Sequence, residues 1–235
     1  MNASSFPLPL VLATGNPDKA REISEIFVTR LDEPLAARAI TAGGDTFGFL
    51  VDRFGTAATR PLDDGDDLAE APDVEETGTT LEENARIKAS ALAGATGMLA
   101  VADDTGLEVD ALGGAPGVRS ARYAPTDPER REKVLKGLKG IPEFRRGAHF
   151  FCAVALSEPQ GACVAHEDGR VDGSIAAAPR GTNGFGYDPL FLPAETPGNT
   201  LAELGAEEKN QLSHRGRALR RMLPQLARLA RDGGL

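Results

Sequence analysis

Hydrophobic and polar positions along the chain keep changing period, and each change predicts an element. Leu8–Ala13 is a short apolar run ending at Thr14-Gly15-Asn16, which reads as a buried strand and a tight turn. Asn16 then caps a helix with Pro17 at its first position, where a missing N–H costs nothing. Ile23, Ile26, Phe27 and Leu31 give that helix one apolar face, and it fades near Pro34. Residues 41–73 hold no sustained period and read as an acidic, Gly-rich surface insertion with one short strand around Phe47–Val51. Thr80-Leu81-Glu82-Glu83 is a capping-box pattern followed by an Ala-rich helix to about Ala93, ended by Gly94 and Gly97. Met98–Ala102 predicts a short buried strand running into Asp103-Asp104-Thr105-Gly106. Leu107, Val109 and Ala111 alternate before Gly113-Gly114-Ala115-Pro116-Gly117 breaks the chain.

Asp127-Pro128 starts another helix, with Val134, Leu135 and Leu138 inward. Ala148–Leu156 is strand-like, and Glu158-Pro159-Gln160-Gly161 turns it into a second strand, Ala162–His166. Gly173–Ala178 predicts a further strand, Pro179–Asp188 a Gly-rich loop, and Pro189–Leu192 a last short strand. Ser213 caps a final helix whose Leu219, Leu223 and Leu226 share a face, with Pro224 as a kink. This order predicts an α/β fold on a mixed sheet, in one domain over residues 1–235 with two lobes.

Composition narrows the function classes. Of 235 residues, 41% are hydrophobic, which excludes wholesale disorder. The net charge is −9, but residues 61–76 alone hold eight acids and no base. A globally basic face for nucleic acid is therefore not expected. The longest uncharged internal run, Ala89–Ala102, falls short of the ~18 residues a membrane span needs. The first residues carry no base before their apolar run and do not read as a secretory signal. Two cysteines, Cys152 and Cys163, supply neither a thiolate metal cage nor a disulfide scaffold, and a reduced cytoplasmic setting fits.

Five segments carry candidate chemistry. In Thr14-Gly15-Asn16-Pro17-Asp18-Lys19 a strand ends and a helix begins, so backbone N–H groups at that helix start are expected to face an anion. Lys19 stands in the first turn, where the helix dipole disfavours a cation and a phosphate would repay it. An ordinary capped turn with a solvated lysine fits the spacing equally well. Asp103-Asp104 follows an apolar strand, so both carboxylates are expected to emerge at a sheet edge. With Glu75-Glu76 they offer hard oxygens that suit Mg²⁺, and one could orient or deprotonate water. Read alone, Glu76 only ends the acidic run. Asn84 and Lys88 are four residues apart and share a helix face.

Gly181-Thr182-Asn183-Gly184-Phe185-Gly186-Tyr187-Asp188-Pro189 places two aromatics among three glycines. Such a loop suits stacking on a planar ring, with Asp188 as a hydrogen-bond acceptor. The plain alternative is a tight turn whose Phe185 tucks into the core. In Lys209-Asn210-Gln211-Leu212-Ser213-His214-Arg215-Gly216, His214 and Arg215 occupy the first turn of a helix, which a carbonyl-rich or anionic ligand would repay. The plain alternative there is a basic, solvated helix. Anion-binding turns, a carboxylate cluster for a hard metal and an aromatic loop together describe a Mg²⁺-dependent nucleotide site. They do not say which bond is cut.

ATGNPDK, EETGTTLEENARIKA, ADDTGLEVDALGGAPGVRSARYA, GTNGFGYDPLF and EEKNQLSHRGRAL occur in this order. With them the chain closely resembles the inosine triphosphate pyrophosphatase family, also called the dITP/XTP pyrophosphatases. The likeness covers nearly the whole chain outside residues ~35–72. The resemblance implies a long, twisted mixed β-sheet flanked by helices, two lobes and a central nucleotide cleft. It implies a homodimer that cleaves ITP, dITP and XTP to the monophosphate and pyrophosphate.

By the same resemblance, Thr14, Gly15, Asn16, Pro17, Asp18 and Lys19 would hold the triphosphate. Glu76 and Asp104 would hold Mg²⁺ with Asp103 in support, and Asp104 would also act on the attacking water. Lys88 and Lys209 would neutralise phosphate charge, and Thr105 would contact substrate. Phe185 would stack on the base beside Gly186, Tyr187 and Asp188, while His214 and Arg215 would read the 6-keto oxygen. Thr105 stands where many relatives have Ser, and the acidic stretch before Glu76 is longer than the family pattern. A Maf-like pyrophosphatase for other modified nucleotides and a non-catalytic nucleotide-binding module are the alternatives. The first is opposed by His214-Arg215 and the FGYD loop; the second would not need Asp103-Asp104.

Overall fold

In the computed structural model, the described residues are 10–14, 16–31, 35–42, 45–53 and 74–231. Among the described residues seven strands lie in the hydrogen-bonded order β2-β3-β1-β4-β5-β6-β7. They are β1 (Leu10–Leu12), β2 (Leu35–Ala42), β3 (Asp45–Arg53), β4 (Leu99–Val109), β5 (Gly147–Ser157), β6 (Cys163–Ile175) and β7 (Phe191–Pro193). β1 pairs parallel with β4 and antiparallel with β3, so the sheet is mixed, as expected. Among the described residues five α-helices accompany it: α1 (Pro17–Leu31), α2 (Leu81–Thr96), α3 (Asp127–Gly137), α4 (Ala206–Leu212) and α5 (His214–Arg231).

The chain forms two compact units. Of the described residues, unit 1 takes those up to Asp104, 153–167 and 219–231; unit 2 takes 105–152 and 168–218. In unit 1, Val11, Leu12, Ile23, Leu92 and Ala100 to Ala102 are buried, together with small α2 residues such as Ala85 and Ala89. Unit 2 is built on Leu107, Val109, Phe150, Val171, Ile175, Leu190, Phe191 and Leu201.

Local chemistry explains the helix boundaries. Asn16 Oδ1 accepts from the N–H groups of Asp18 (2.9 Å) and Lys19 (3.3 Å), so Asn16 caps α1. In α2 the capping box is complete: Thr80 Oγ1 accepts from Glu83 N–H at 3.1 Å, and Glu83 Oε2 accepts from Thr80 N–H at 3.2 Å. Hydrogen bonds from the Thr79 hydroxyl and the Thr79 and Thr80 backbone hold the Glu83 carboxyl below its ordinary range. Gly97, in the left-handed region at φ 64°, ends α2. Gly94 lies inside the helix and does not end it.

Several sequence expectations shift here. β3 contains the strand expected at Phe47–Val51, but β2 pairs beside it where no strand was expected. Residues 43–44 and 54–73 of the expected insertion lie outside the described residues. β4 does not stop at Ala102: it runs on through Asp103-Asp104-Thr105-Gly106 to Val109, so the two aspartates sit within a strand and not beyond its end. The alternation of Leu107 and Val109 continues the same strand. Likewise β6 is one strand where two were expected, and the residue that caps α3 is Thr126, with Asp127 already helical. The described residues include no helix long and apolar enough to cross a membrane.

Candidate active site

Unit 1 gathers charged groups from three elements. β1 leads into Thr14, whose Oγ1 accepts from Asn16 N–H at 3.1 Å. The N–H groups of Asp18 and Lys19, expected to face outward, are already held by Asn16, and Asp18 itself pairs with Arg21 at 2.8 Å. Gly15 lies outside the described residues, and Pro17 opens α1. Lys19 Nζ reaches Asp103 Oδ2 at 3.1 Å. From α2, Lys88 Nζ donates to Asp103 O at 2.7 Å and lies 3.1 Å from both Asp104 Oδ1 and Glu76 Oε1. Asn84 Nδ2 donates to the other Asp104 oxygen, Oδ2, at 3.1 Å.

Three carboxylates (Glu76, Asp103, Asp104) and two ammonium groups (Lys19, Lys88) thus meet within ion-pair distance. Burial tends to discharge Lys88, but the attraction of Asp104, Asp103 and Glu76 outweighs it and raises the lysine's pKa. Burial raises the Asp104 carboxyl above its ordinary value, and Glu76 adds to this; Lys88 and Lys19 pull the other way without cancelling it. Both directions follow from a partly dehydrated cluster in which carboxylates crowd one another and an ammonium.

Such a cluster fits a hard cation. Glu76 and Asp104 converge on one point from two segments, and a cationic atom, Lys88 Nζ, occupies it. All donors are oxygens, the set Mg²⁺ prefers. Asp103 turns to Lys19 instead, and among the described residues no three acidic, His or Cys side chains form a ready cage. Glu75, adjacent in sequence, enters none of these contacts.

Unit 2 gathers the aromatic loop and the start of α5. Gly184 (φ 73°) approaches the Asp188 carboxylate too closely for any Cβ. Asp188 Oδ2 accepts from Phe185 N–H at 2.9 Å and pairs with Lys209 Nζ at 2.9 Å. Gly186 is held from both sides by α3: its N–H donates to Asp127 Oδ2 (2.8 Å) and its carbonyl accepts from Arg131 Nη1 (2.6 Å). Phe185 is half-buried, with Lys209 Nζ 4.9 Å and Arg215 Cζ 5.4 Å from its ring centre. Those cations make the ring part of a polar cluster rather than of the core. Tyr187 behaves differently. It is 5% exposed, packs in the core, and donates its hydroxyl to Ser120 O at 2.9 Å; burial raises its pKa.

His214 and Arg215 are 3% and 2% exposed, which excludes the solvated-helix reading. Ser213 Oγ accepts from Gly216 N–H at 3.0 Å and so caps α5. The His214 ring stacks on Phe150, with centres 4.5 Å apart and planes 12° apart. Arg215 Nη2 donates weakly to Thr105 Oγ1 at 3.4 Å. Sequence reasoning passed over Phe150, Asp127 and Arg131. Nothing in a strand or a capped helix marks such supports before the chain is folded. Asn84 carries a sequence signal, its place one turn before Lys88 on the same helix face.

A family model described as the Ham1 family matches residues 10–225, a span that includes both clusters. The chain belongs to the Ham1 family. A dITP/XTP pyrophosphatase of Anaeromyxobacter sp. is 45% identical over 199 residues, covering 72% of this chain and 86% of that protein. One from Gloeobacter violaceus is 54% identical over 155 residues, covering 66% and 77%. Among solved structures, a HAM1 protein from Coxiella burnetii matches with TM-score 0.67 at 38% identity, over 93% of this chain and 98% of that one. A nucleoside-triphosphatase / dITP/XTP pyrophosphatase from Mycobacterium abscessus matches at 0.59 and 38%, over 92% and 98%. A Ham1-family chain with these clusters has the parts of a nucleotide hydrolase.

Proposed function

We propose that the protein hydrolyses non-standard purine nucleoside triphosphates, ITP, dITP and XTP, to the monophosphate and pyrophosphate. It would thereby remove deaminated purines from the nucleotide pool. The observation that carries this reading is the convergence of Glu76 and Asp104 on one cationic point beside Lys19. The names of the relatives supply the substrate class.

In this reading Thr14, Asn16 and Lys19 sit at the triphosphate end, with Lys88, and Glu76 and Asp104 hold Mg²⁺. A bound Mg²⁺ would supply charge neutralisation to the phosphates, the main requirement of phosphoryl transfer. Asp104 is the group that orients the attacking water and receives its proton. Asn84 and Lys88 hold its two oxygens in place for that role. Lys19 and Lys88 are the ammonium groups for phosphate oxygens.

Phe185, His214 and Arg215 are the base-reading residues, and Lys209 neutralises phosphate charge. His214 and Arg215 donate to the 6-keto oxygen of hypoxanthine or xanthine. Adenine carries an amine there, so the same donors would go unpaired, a mismatch that discriminates strongly. Asp188 holds the loop by accepting from Phe185 and Lys209, and Thr105 supports Arg215. Tyr187 anchors the loop from the core. The working form is a homodimer in the cytoplasm, with no part for nucleic acid or membrane.

The test is a hydrolysis panel of ITP, dITP, XTP, ATP, GTP and dTTP with Mg²⁺, assaying pyrophosphate and orthophosphate separately. Pyrophosphate from ITP, dITP and XTP alone is expected. Orthophosphate release, or equal rates on ATP and GTP, would refute the proposed bond or base preference. ITP binding without turnover would favour the non-catalytic module.

A further inference from the structure

Helix α2 does more than deliver Lys88. Asn84 precedes Lys88 by four residues, so one helix face presents both side chains to the same strand. They grip the two oxygens of one carboxylate separately: Lys88 Nζ lies 3.1 Å from Asp104 Oδ1, and Asn84 Nδ2 lies 3.1 Å from Asp104 Oδ2. Asn84 is fully buried. Its other end is also used, since Asn84 Oδ1 accepts from Gly78 N–H at 2.9 Å. Gly78 fits no larger residue, because a Cβ there would lie 2.6 Å from Asn84 Oδ1 and 2.7 Å from Glu83 Cβ. The amide therefore ties Asp104 to the segment that carries Glu76, two residues before Gly78.

A buried amide with both ends hydrogen-bonded fixes geometry. An asparagine without these bonds would cost stability at this position, since each buried polar end needs a partner.

We propose that Asn84 is a positioning residue for the hydrolysis. It fixes the rotation of the Asp104 carboxylate, leaving Oδ1 as the oxygen directed at the cationic point, and it holds the Glu76 segment in register with it. The inference rests on Asp104 having the role proposed above. Residues that orient metal-binding carboxylates typically change metal affinity or activity 10–100-fold when removed.

The experiment compares Asn84→Ala, Asn84→Ser, Asp104→Asn and Asn84→Ala/Asp104→Asn with the full-length protein. Steady-state hydrolysis of ITP gives kcat and KM, and Mn²⁺ alone, followed by loss of its free-ion EPR signal, gives metal affinity without turnover. Both Asn84 variants are expected to lower kcat about 10–100-fold with KM for ITP within about twofold, and to weaken Mn²⁺ binding on the same scale. Because Asn84 acts through Asp104, its removal is expected to cost less than threefold further in the Asp104→Asn background. An unchanged kcat and Mn²⁺ affinity, with Asp104→Asn inactive, would overturn the role of Asn84 alone. Full additivity in the double variant would also overturn it, leaving a fold defect as the cause. Near wild-type turnover in Asp104→Asn would instead overturn the reading of Asp104 on which this one rests.

Discussion

Lys88→Met removes one ammonium from the unit 1 cluster while keeping a stem of similar length, so the charge is the main thing that changes. Lys88 Nζ lies 3.1 Å from both Glu76 Oε1 and Asp104 Oδ1, and its side chain is only 15% exposed. At an effective dielectric near 20, each contact has a gross attraction of about 5 kcal/mol. Most of that offsets the desolvation of the ions. Breaking a buried pair by removing one partner costs about 3–5 kcal/mol, because the remaining carboxylates stay buried and unneutralised.

The pH dependence has a definite sign. The Lys88 pKa is raised in the fold, so its contribution is fully present below the ordinary lysine value and is lost only as pH rises through the folded one. At pH 7 the whole loss is therefore visible. The Asp104 pKa is also raised, so its unfavourable ionisation is relieved as pH falls through its folded value, already above the ordinary aspartate range. The deficit of Lys88→Met should shrink there, since Asp104 takes up a proton and no longer needs a cationic partner. Urea unfolding of both proteins at pH 7 and toward pH 4.5, at low salt with chelator present, measures this. A deficit below about 1 kcal/mol at pH 7, within the range of a solvated surface pair, would refute the coupled cluster. So would one that does not change with pH.

Asp104→Asn should keep the fold and ITP binding and lose most turnover; calorimetric binding beside the pyrophosphate assay checks both. Phe185→Ala should raise KM for ITP far more than it lowers the melting temperature, because the ring is only half-buried; equal loss in both would return Phe185 to a packing role. Tyr187→Phe should cost about 1–3 kcal/mol of stability, since Ser120 O loses its donor, and leave KM for ITP within twofold. A large KM change would place the Tyr187 hydroxyl at the substrate.

The capped starts of α1 and α2 were legible because the signals are local: Asn16 and Thr80 need only their own next turn. The mixed sheet was legible from the order of elements. β2 was not, since its pairing partner β3 lies across residues 43–44 and nothing in Leu35–Ala42 alternates clearly. The extent of β4 was misread for a related reason. Two adjacent aspartates usually mark a turn in water. In the fold each finds a partner, Asp103 with Lys19 and Asp104 with Lys88 and Asn84, so the strand can continue through them.

What the sequence by itself determined is the inventory: five ordered motifs, the helix caps, the mixed α/β order and the family. Those depend on residue identity and short spacing. Tertiary structure decided which members of each motif do which work. Within one tetrapeptide, Phe185 stands among cations while Tyr187 turns into the core. Within one helix turn, Asn84 and Lys88 take opposite oxygens of a residue 16–20 positions away. Charge balance among groups far apart in sequence, and the burial that makes it matter, exist only once the chain is folded.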